Sequence, residues 1–294
     1  MTWSGLYTAL ITPFKEEQLD EEGLRQNIRA QRASGVDGIV LLGTTGEVAT
    51  LTEDEKEQIL LIGREEAGDL PLIVGTGDNC TQTTIENTQR AAEYGADSAL
   101  VIAPYYNKPT QEGLYRHFKA ISENSPIDLI IYNIPGRTAV NIEIQTLKRV
   151  AALPHVVGVK ESSGDLGQVS DIVSQIKRDS PNFSLLAGDD SLTLPIMAMG
   201  GDGVISGMCN LVPKKMQELV TACLDHDFTY ARRVHYELLP LFKAASFETN
   251  PIPLKAAMAL CGLPAGEPRL PLCPLSSANL EKLKETLEWS KKFL

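Results

Sequence analysis

Short apolar runs alternate with amphipathic stretches along most of the chain. The apolar runs are rich in Val, Ile and Leu and are bounded by Gly or Pro, which is typical of buried strands. Strands that are apolar on both faces belong to parallel sheets covered by helices. The pattern predicts eight strands, at residues 6–14, 38–42, 70–74, 98–103, 128–133, 156–161, 183–187 and 202–206.

An amphipathic segment follows each predicted strand. Asp20 is the N-cap and Gly35 the stop of the first, and a Thr52-Glu53-Asp54-Glu55 capping box opens the second. Helices are predicted at residues 20–34, 52–67, 81–94, 111–124, 142–152, 166–176 and 191–199, and an eighth from Pro213. Strict alternation implies right-handed crossovers, and eight units can close on themselves. The predicted fold class is α/β, a (β/α)8 TIM barrel.

The chain is longer than such a barrel needs, and the surplus lies at its C-terminal end. Three further helical stretches are predicted there, at residues 228–247, 252–261 and 277–293, with prolines between them. We therefore predict a catalytic barrel over residues 1–225 and a C-terminal helical subdomain over 226–294.

Composition narrows the class of protein. A net charge of −11 over 294 residues argues against binding to nucleic acid or to an anionic membrane. No apolar run reaches the roughly 20 residues of a membrane span, and the first residues lack the pattern of a secretion signal. A cytoplasmic protein is expected.

The five cysteines form no CxxC pair and the four histidines no ligand pair, so neither a disulfide framework nor a metal site is predicted.

Polar residues collect where the predicted strands end. Chemistry in (β/α)8 barrels occurs at the carboxyl ends of the strands, so this shared location predicts a site. The residues at these ends are Thr44, Thr45, Tyr105, Tyr106, Tyr132, Arg137, Lys160, Gly188, Ile205 and Ser206.

Lys160 ends an apolar strand, and its amine must lose water or find partners there. Desolvation disfavours the charged form of a lysine, and a partly neutral amine can attack a carbonyl to form a Schiff base. The alternative is that Lys160 pairs with a carboxylate such as Glu161. Lys255 is a rival lysine, but the sequence Asn250-Pro-Ile-Pro253 places it at the start of an outer helix, away from any strand end.

Other candidates also have two interpretations. The Gly43-Thr-Thr-Gly-Glu47 loop fits an anion-binding turn or a tight turn that needs glycine. Tyr132 is a proton-transfer group or a core phenol, and Arg137 grips a carboxylate or is a surface charge. The Tyr105-Tyr106 pair fits a surface or a subunit interface.

The chain resembles the dihydrodipicolinate synthase (4-hydroxy-tetrahydrodipicolinate synthase) family, which belongs to the pyruvate-dependent class I aldolases. The matching segments run in order along nearly the whole chain. They are Ala9-Leu-Ile-Thr-Pro13, Gly43-Thr-Thr-Gly-Glu47, Pro104-Tyr-Tyr-Asn107, Tyr132-Asn-Ile-Pro-Gly-Arg-Thr138, Gly158-Val-Lys-Glu161, Gly188-Asp-Asp190, Gly203-Val-Ile-Ser206 and Asn250-Pro-Ile-Pro-Leu-Lys255. The Gly-Arg-Thr segment favours the synthases over the sugar-acid lyases that share the fold.

This resemblance implies a condensation of pyruvate with L-aspartate-4-semialdehyde in lysine and diaminopimelate synthesis. It implies that Lys160 forms the imine and that Tyr132 transfers protons with Thr44 and Tyr106. It also implies substrate-binding roles for Thr45, Arg137, Gly188 and Ile205. A homotetramer, a dimer of dimers, is implied, in which Tyr106 reaches a neighbouring subunit's site. No metal and no organic cofactor is implied.

The resemblance extends to a regulatory pocket with one departure. Asn79 and Tyr105 match the allosteric lysine site of lysine-inhibited members, whereas Glu53, Lys56 and Thr83 replace two histidines and a glutamate of the sensitive bacterial form. Because Lys56 repels a lysine ammonium and Thr83 lacks a carboxylate, weak or absent lysine feedback is expected.

Two alternative functions remain open from the sequence. The first is cleavage of N-acetylneuraminate or a 2-keto-3-deoxy sugar acid by a protein of the same fold. Arg137 argues against this function, because a polyol substrate would prefer neutral hydrogen-bonding groups at that position. The second is a non-catalytic barrel that binds a small carboxylate.

Overall fold

The structure, a computed structural model, describes residues 2–293. Eight parallel strands close into a barrel, in the order β1-β10-β9-β8-β7-β6-β5-β4. They are β1 (Gly5–Ala9), β4 (Gly38–Leu41), β5 (Leu72–Gly75), β6 (Ser98–Ile102), β7 (Asp128–Asn133), β8 (Val156–Glu161), β9 (Ser184–Ala187) and β10 (Gly203–Ser206). The predicted fold class is therefore confirmed, and all eight predicted strands occur.

Helices follow the strands as the alternation predicts. They are α1 (Glu21–Ala33), α2 (Glu53–Ala67), α3 (Thr81–Glu93), α4 (Gln111–Asn124), α5 (Pro135–Thr138), α6 (Ile144–Ala151), α7 (Leu166–Ile172), α8 (Thr193–Ala198) and α9 (Pro213–Leu224). Asp20 caps α1 by accepting from the Gly23 N–H, and the capping box of Thr52 and Glu55 is formed at the start of α2. The predicted helix starts are thus explained by side chains that satisfy free backbone N–H groups.

The C-terminal helices are also present. They are α10 (Phe228–Ala244), α11 (Ile252–Leu260) and α12 (Ser277–Ser290). None of the helices within residues 2–293 combines the length and apolar character needed to cross a membrane.

Three local features differ from the predictions. The first predicted strand ends at Ala9, and the chain then forms a small antiparallel hairpin of β2 (Phe14–Lys15) and β3 (Gln18–Leu19). Pro13 lacks the N–H that a continuing strand would need, and Glu16 and Glu17 turn the hairpin with positive φ. The short helix α5 was not predicted, and α7 continues as a π-helical turn over Val173–Lys177.

The chain divides into two compact units, which are described separately below. One contains Ile73–Ile205 together with residues 2–5, and the other contains Leu6–Leu72 together with residues 206–293. The first unit carries β5 to β10, and the second carries β1, β4 and α9 to α12. The domain boundary near residue 225 stays a prediction.

Candidate active site

Lys160 is the fifth of the six residues of β8, next to the carboxyl end of the strand. It pairs with Tyr132 on β7 and with Leu186 on β9, and only 7% of its surface is exposed. Its Nζ lies over the Tyr132 ring, 4.3 Å from the ring centroid. Tyr132 is itself 6% exposed. The first unit therefore brings a largely dehydrated amine and a phenol side by side at the carboxyl ends of adjacent strands.

Glu161 does not pair with Lys160, although sequence alone left that alternative open. Successive residues of a strand point to opposite faces, and the Glu161 carboxylate accepts instead from the Asn133 and Gln168 amides and from the Ser163 N–H. Among residues 2–293, Lys160 has no carboxylate partner within ion-pair distance. The Glu161 carboxylate is therefore engaged by other groups, and the Lys160 amine lies over the Tyr132 ring.

Gly188 follows β9, and its lack of a side chain makes room for the lysine. A Cβ at this position would lie 1.9 Å from the Ser162 Oγ and 2.8 Å from the Lys160 Cε. The Ser162 hydroxyl is buried and has no hydrogen-bond partner among the described residues. Gly188 thus sets how the Lys160 side chain lies against the end of β9.

Ile205 and Arg137 lie at the ends of other strands of the first unit. Ile205 is 1% exposed near the end of β10. Arg137 is exposed on the short helix α5, directly after β7, where Pro135 occupies the first helical turn. The position of Arg137 after β7 matches the prediction, and α5 is the local structure that carries it.

The two adjacent tyrosines after β6 have different surroundings. The Tyr105 hydroxyl donates to Asp78, at 3.3 Å, and burial together with the Asp78 charge raises the pKa of Tyr105. Tyr106 is 88% exposed and has a φ of +71°, a conformation that non-glycine residues rarely adopt. Asn79 holds the same loop through its carbonyl, which accepts from the Asn107 amide. Tyr106 is therefore presented to solvent by a loop that its neighbours hold in place.

In the second unit, Thr44 and Thr45 lie in a tight turn directly after β4. The Gly46 N–H donates to the Gly43 carbonyl and the Glu47 N–H to the Thr44 carbonyl. Positive φ falls on Leu42 and Glu47 rather than on either glycine. Thr45 is 5% exposed, and its Oγ1 accepts from the Asn250 amide at 2.9 Å.

Lys255 lies in α11 and is completely buried. Its sequence context had placed it in an outer helix, away from any strand end. Its Nζ forms an ion pair with Glu47, at 2.7 Å, and also donates to the carbonyls of Thr12 and Glu267. Lys255 lies in the first turns of the predicted helix, and its Nζ contacts the loops that follow β1 and β4, through Thr12 and Glu47. Burial lowers the pKa of Lys255, and the Glu47 carboxylate opposes that shift. A lysine bound to three oxygens in this way is structural rather than nucleophilic.

The residues expected to weaken lysine feedback are described within their own units. In the second unit, Lys56 forms an ion pair with Glu53, at 2.7 Å. In the first unit, Thr83 lies in the first turn of α3, and its side chain and backbone N–H help to lower the pKa of Cys80.

Residues 2–293 contain no group of three or more His, Cys, Asp and Glu side chains arranged to hold a metal ion. The five cysteines are free thiols. His117 is buried, and its Nδ1 lies 2.9 Å from the Thr81 hydroxyl.

Sequence reasoning missed the two partners that hold the Thr44-Thr45 turn. Asn250 and Glu47 were quoted only as parts of motifs, and neither was assigned a role. The positive φ of Glu47 and the contact of Asn250 with Thr45 depend on tertiary structure, so no local sequence pattern indicates them.

The closed barrel, with a buried lysine next to the end of β8, defines an α/β-barrel protein. The chain belongs to the dihydrodipicolinate synthetase family, whose model matches residues 2–290. This finding confirms the resemblance read from the motifs.

Named relatives agree with this family over nearly the full length of the chain. The chain is 52% identical over 289 residues to a 4-hydroxy-tetrahydrodipicolinate synthase of Protochlamydia amoebophila, covering 98% of this chain and 96% of that one. It is 43% identical to the dihydrodipicolinate synthase from Thermotoga maritima, with a TM-score of 0.97 and 99% of each chain covered. A further solved structure, described as the first monomeric dihydrodipicolinate synthase variant, is 43% identical with a TM-score of 0.96, and covers 99% of this chain and 98% of that chain.

Proposed function

We propose that this protein condenses pyruvate with L-aspartate-4-semialdehyde to give 4-hydroxy-tetrahydrodipicolinate, in the cytoplasmic synthesis of lysine and diaminopimelate. The observation that carries the proposal is the Lys160 amine, which is buried, lies 4.3 Å from the centroid of the Tyr132 ring and has no carboxylate partner among the described residues. An amine in that setting is suited to attack a carbonyl rather than to stabilise the fold.

Lys160 carries the covalent chemistry in this proposal. Its amine attacks the keto carbon of pyruvate, water leaves and an imine forms. The protonated imine withdraws electrons, so the pyruvate methyl group loses a proton and becomes an enamine. The enamine carbon bonds to the aldehyde carbon of the second substrate, whose oxygen takes a proton. The substrate's own amine then attacks the imine carbon, closes the ring and releases Lys160.

Tyr132 moves the protons in these steps. Its ring lies beside the Lys160 amine, so its hydroxyl is in the right part of the barrel to give and take protons at the imine. An ordinary phenol holds its proton tightly at neutral pH, so a relay is needed. Thr44 and Tyr106 supply that relay in the proposal.

Substrate binding uses the carboxylates of both substrates. The Thr45 hydroxyl holds the pyruvate carboxylate and Ile205 holds pyruvate partly through its backbone, while Gly188 leaves the space in which the lysine and its adduct lie. Arg137, exposed after β7, holds the carboxylate of the semialdehyde. The barrel over residues 1–225 supplies all these residues, and the helices over 226–294 form a separate subdomain.

Assembly is part of the proposal because Tyr106 is not buried by its own chain. A tyrosine that is 88% exposed and held at a φ of +71° is presented for contact outside the protomer. We propose a homotetramer, a dimer of dimers, in which Tyr106 completes a neighbouring site. Sedimentation that shows a fully active monomer would contradict this part.

The regulatory proposal is weak or absent feedback by lysine. Asn79 and Tyr105 are retained, but the Lys56 ammonium, which forms an ion pair with Glu53, adds positive charge, and Thr83 offers no carboxylate.

The proposed reaction is tested by comparing substrates and one variant. Product formation should require both pyruvate and the semialdehyde, and Lys160→Arg should abolish it because guanidinium keeps the charge but forms no imine. Cleavage of N-acetylneuraminate or a 2-keto-3-deoxy sugar acid at a higher kcat/KM than the condensation would contradict the proposed second substrate. No turnover and no pyruvate adduct in the wild-type protein would indicate a carboxylate-binding barrel instead.

A further inference from the structure

Asn250, which precedes helix α11, contacts the threonine proposed to bind pyruvate. Its side-chain amide donates to the Thr45 Oγ1 at 2.9 Å. Thr45 is 5% exposed, so this contact is made largely out of water. In the second unit it joins the C-terminal helical region to the turn after β4.

The direction of this hydrogen bond determines what the Thr45 hydroxyl can do next. A hydroxyl has one proton to donate and two lone pairs that accept. Because the Asn250 amide occupies a lone pair, the proton must be donated elsewhere. Among residues 2–293, no acceptor for it is found on the protein. A buried donor without a partner is unfavourable unless a ligand supplies one, and a carboxylate oxygen is a strong acceptor.

The turn that carries Thr45 is fixed from the same region. Glu47, two residues after Thr45, accepts from the buried Lys255 of α11 and from the Arg269 N–H. The Thr12 hydroxyl donates to the Gly46 carbonyl. The two residues after Thr45 are thus held by hydrogen bonds, and Asn250 contacts the Thr45 hydroxyl itself.

We infer that Asn250 is a positioning residue that orients the Thr45 hydroxyl so that its proton points to the carboxylate of the keto acid. This inference rests on the proposed function and deepens it, since it gives the Thr45 hydroxyl a preference for an anionic group. Asn250 itself need not touch the substrate.

Two substitutions change the polarity of the contact in different ways. Asn250→Asp is nearly isosteric but replaces the donor by a carboxylate, which accepts the Thr45 proton and so turns the hydroxyl away from the substrate. Asn250→Ala removes the donor without adding charge. We expect the half-saturating pyruvate concentration for reductive trapping on Lys160 to rise about tenfold or more in Asn250→Asp, as for the loss of one hydrogen bond to a charged group. A smaller rise is expected in Asn250→Ala, and KM for the semialdehyde should change little in both.

The test for action through Thr45 is a double-mutant cycle. Thr45→Val deletes the hydroxyl, so Asn250→Ala added to it should raise half-saturating pyruvate by less than about twofold. Asn279→Asp is the matched control, because the Asn279 amide also donates across the C-terminal helices, to Glu248 at 2.9 Å. It should lower the melting temperature and leave pyruvate half-saturation unchanged.

The outcomes separate this inference from the function on which it rests. Wild-type protein that forms no pyruvate adduct would overturn both. A wild-type adduct with unchanged half-saturation in Asn250→Asp and Asn250→Ala would overturn only the role of Asn250. An equal effect of Asn250→Ala with and without the Thr45 hydroxyl would also overturn it, because the residue would then act by a route other than Thr45.

Discussion

The buried ion pair of Lys255 and Glu47 should contribute strongly to the stability of the second unit, and deleting one of its charges tests this. The Lys255 side chain is 1% exposed and that of Glu47 is 0% exposed, and their nitrogen and oxygen lie 2.7 Å apart. Lys255 also lies over the Phe14 ring, 4.2 Å from its centroid. Deleting one charge of such a pair leaves the other buried without compensation, which typically destabilises a protein by about 3–5 kcal/mol.

Lys255→Met keeps the length of the side chain and removes its charge. We expect it to lower the free energy of unfolding by about 3–5 kcal/mol, and Glu47→Gln by a similar or smaller amount. The double variant Lys255→Met/Glu47→Gln should lose less than the sum of the two single losses, because no charge then remains unpaired. Urea unfolding followed by circular dichroism, at one fixed protein concentration, measures all three differences.

The same variants decide which lysine is the reactive one. Lys255→Met should still form the reduced pyruvate adduct under conditions in which it remains folded, since Lys255 donates to Glu47 and two carbonyls. Single losses below about 1 kcal/mol, or losses that simply add in the double variant, would refute the structural role of this pair.

Three further predictions concern the lysine site, acid stability and regulation. Gly188→Ala should lower kcat, because the new Cβ would lie 2.8 Å from the Lys160 Cε. It should also lower the free energy of unfolding by about 1–3 kcal/mol. An unchanged kcat would contradict the close packing of Gly188 against Lys160. Burial lowers the pKa of His117 from 6.5 to about 4, so the unfolded chain takes up a proton that the folded chain does not as pH falls below 6.5. Stability should therefore fall by about 2 kcal/mol between pH 7.5 and pH 5, measured by urea unfolding, and His117→Gln should lack this part of the loss. Lysine at micromolar concentrations should leave the initial rate nearly unchanged, and half-inhibition in that range would refute the argument from Lys56 and Thr83.

The fold was predictable because each strand is marked in the sequence by a short apolar run. β7 and β8 each contain an apolar run, at residues 129–131 and 156–159, and α2 begins at a capping box that is visible in the sequence. The first strand was predicted too long because Leu10 and Ile11 remain buried after β1 ends. Apolar character reports burial, and it does not report where the strand's hydrogen bonding stops.

The candidate site was predictable only in part. Lys160 and Tyr132 stand out as polar groups on apolar strands, and the register of β7 and β8 places them side by side. The contacts of Asn250 with Thr45 and of Lys255 with Glu47 join positions 205 and 208 residues apart. No local pattern encodes such pairs, and the burial that makes them important exists only after folding.

The central claim is that Lys160 forms an imine with pyruvate. Borohydride reduction in the presence of pyruvate, followed by intact mass and peptide mapping, tests it directly. We predict one reduced adduct per chain, located on Lys160 and absent from Lys160→Arg. No adduct on the wild-type chain, or an adduct located on Lys255, would contradict the account.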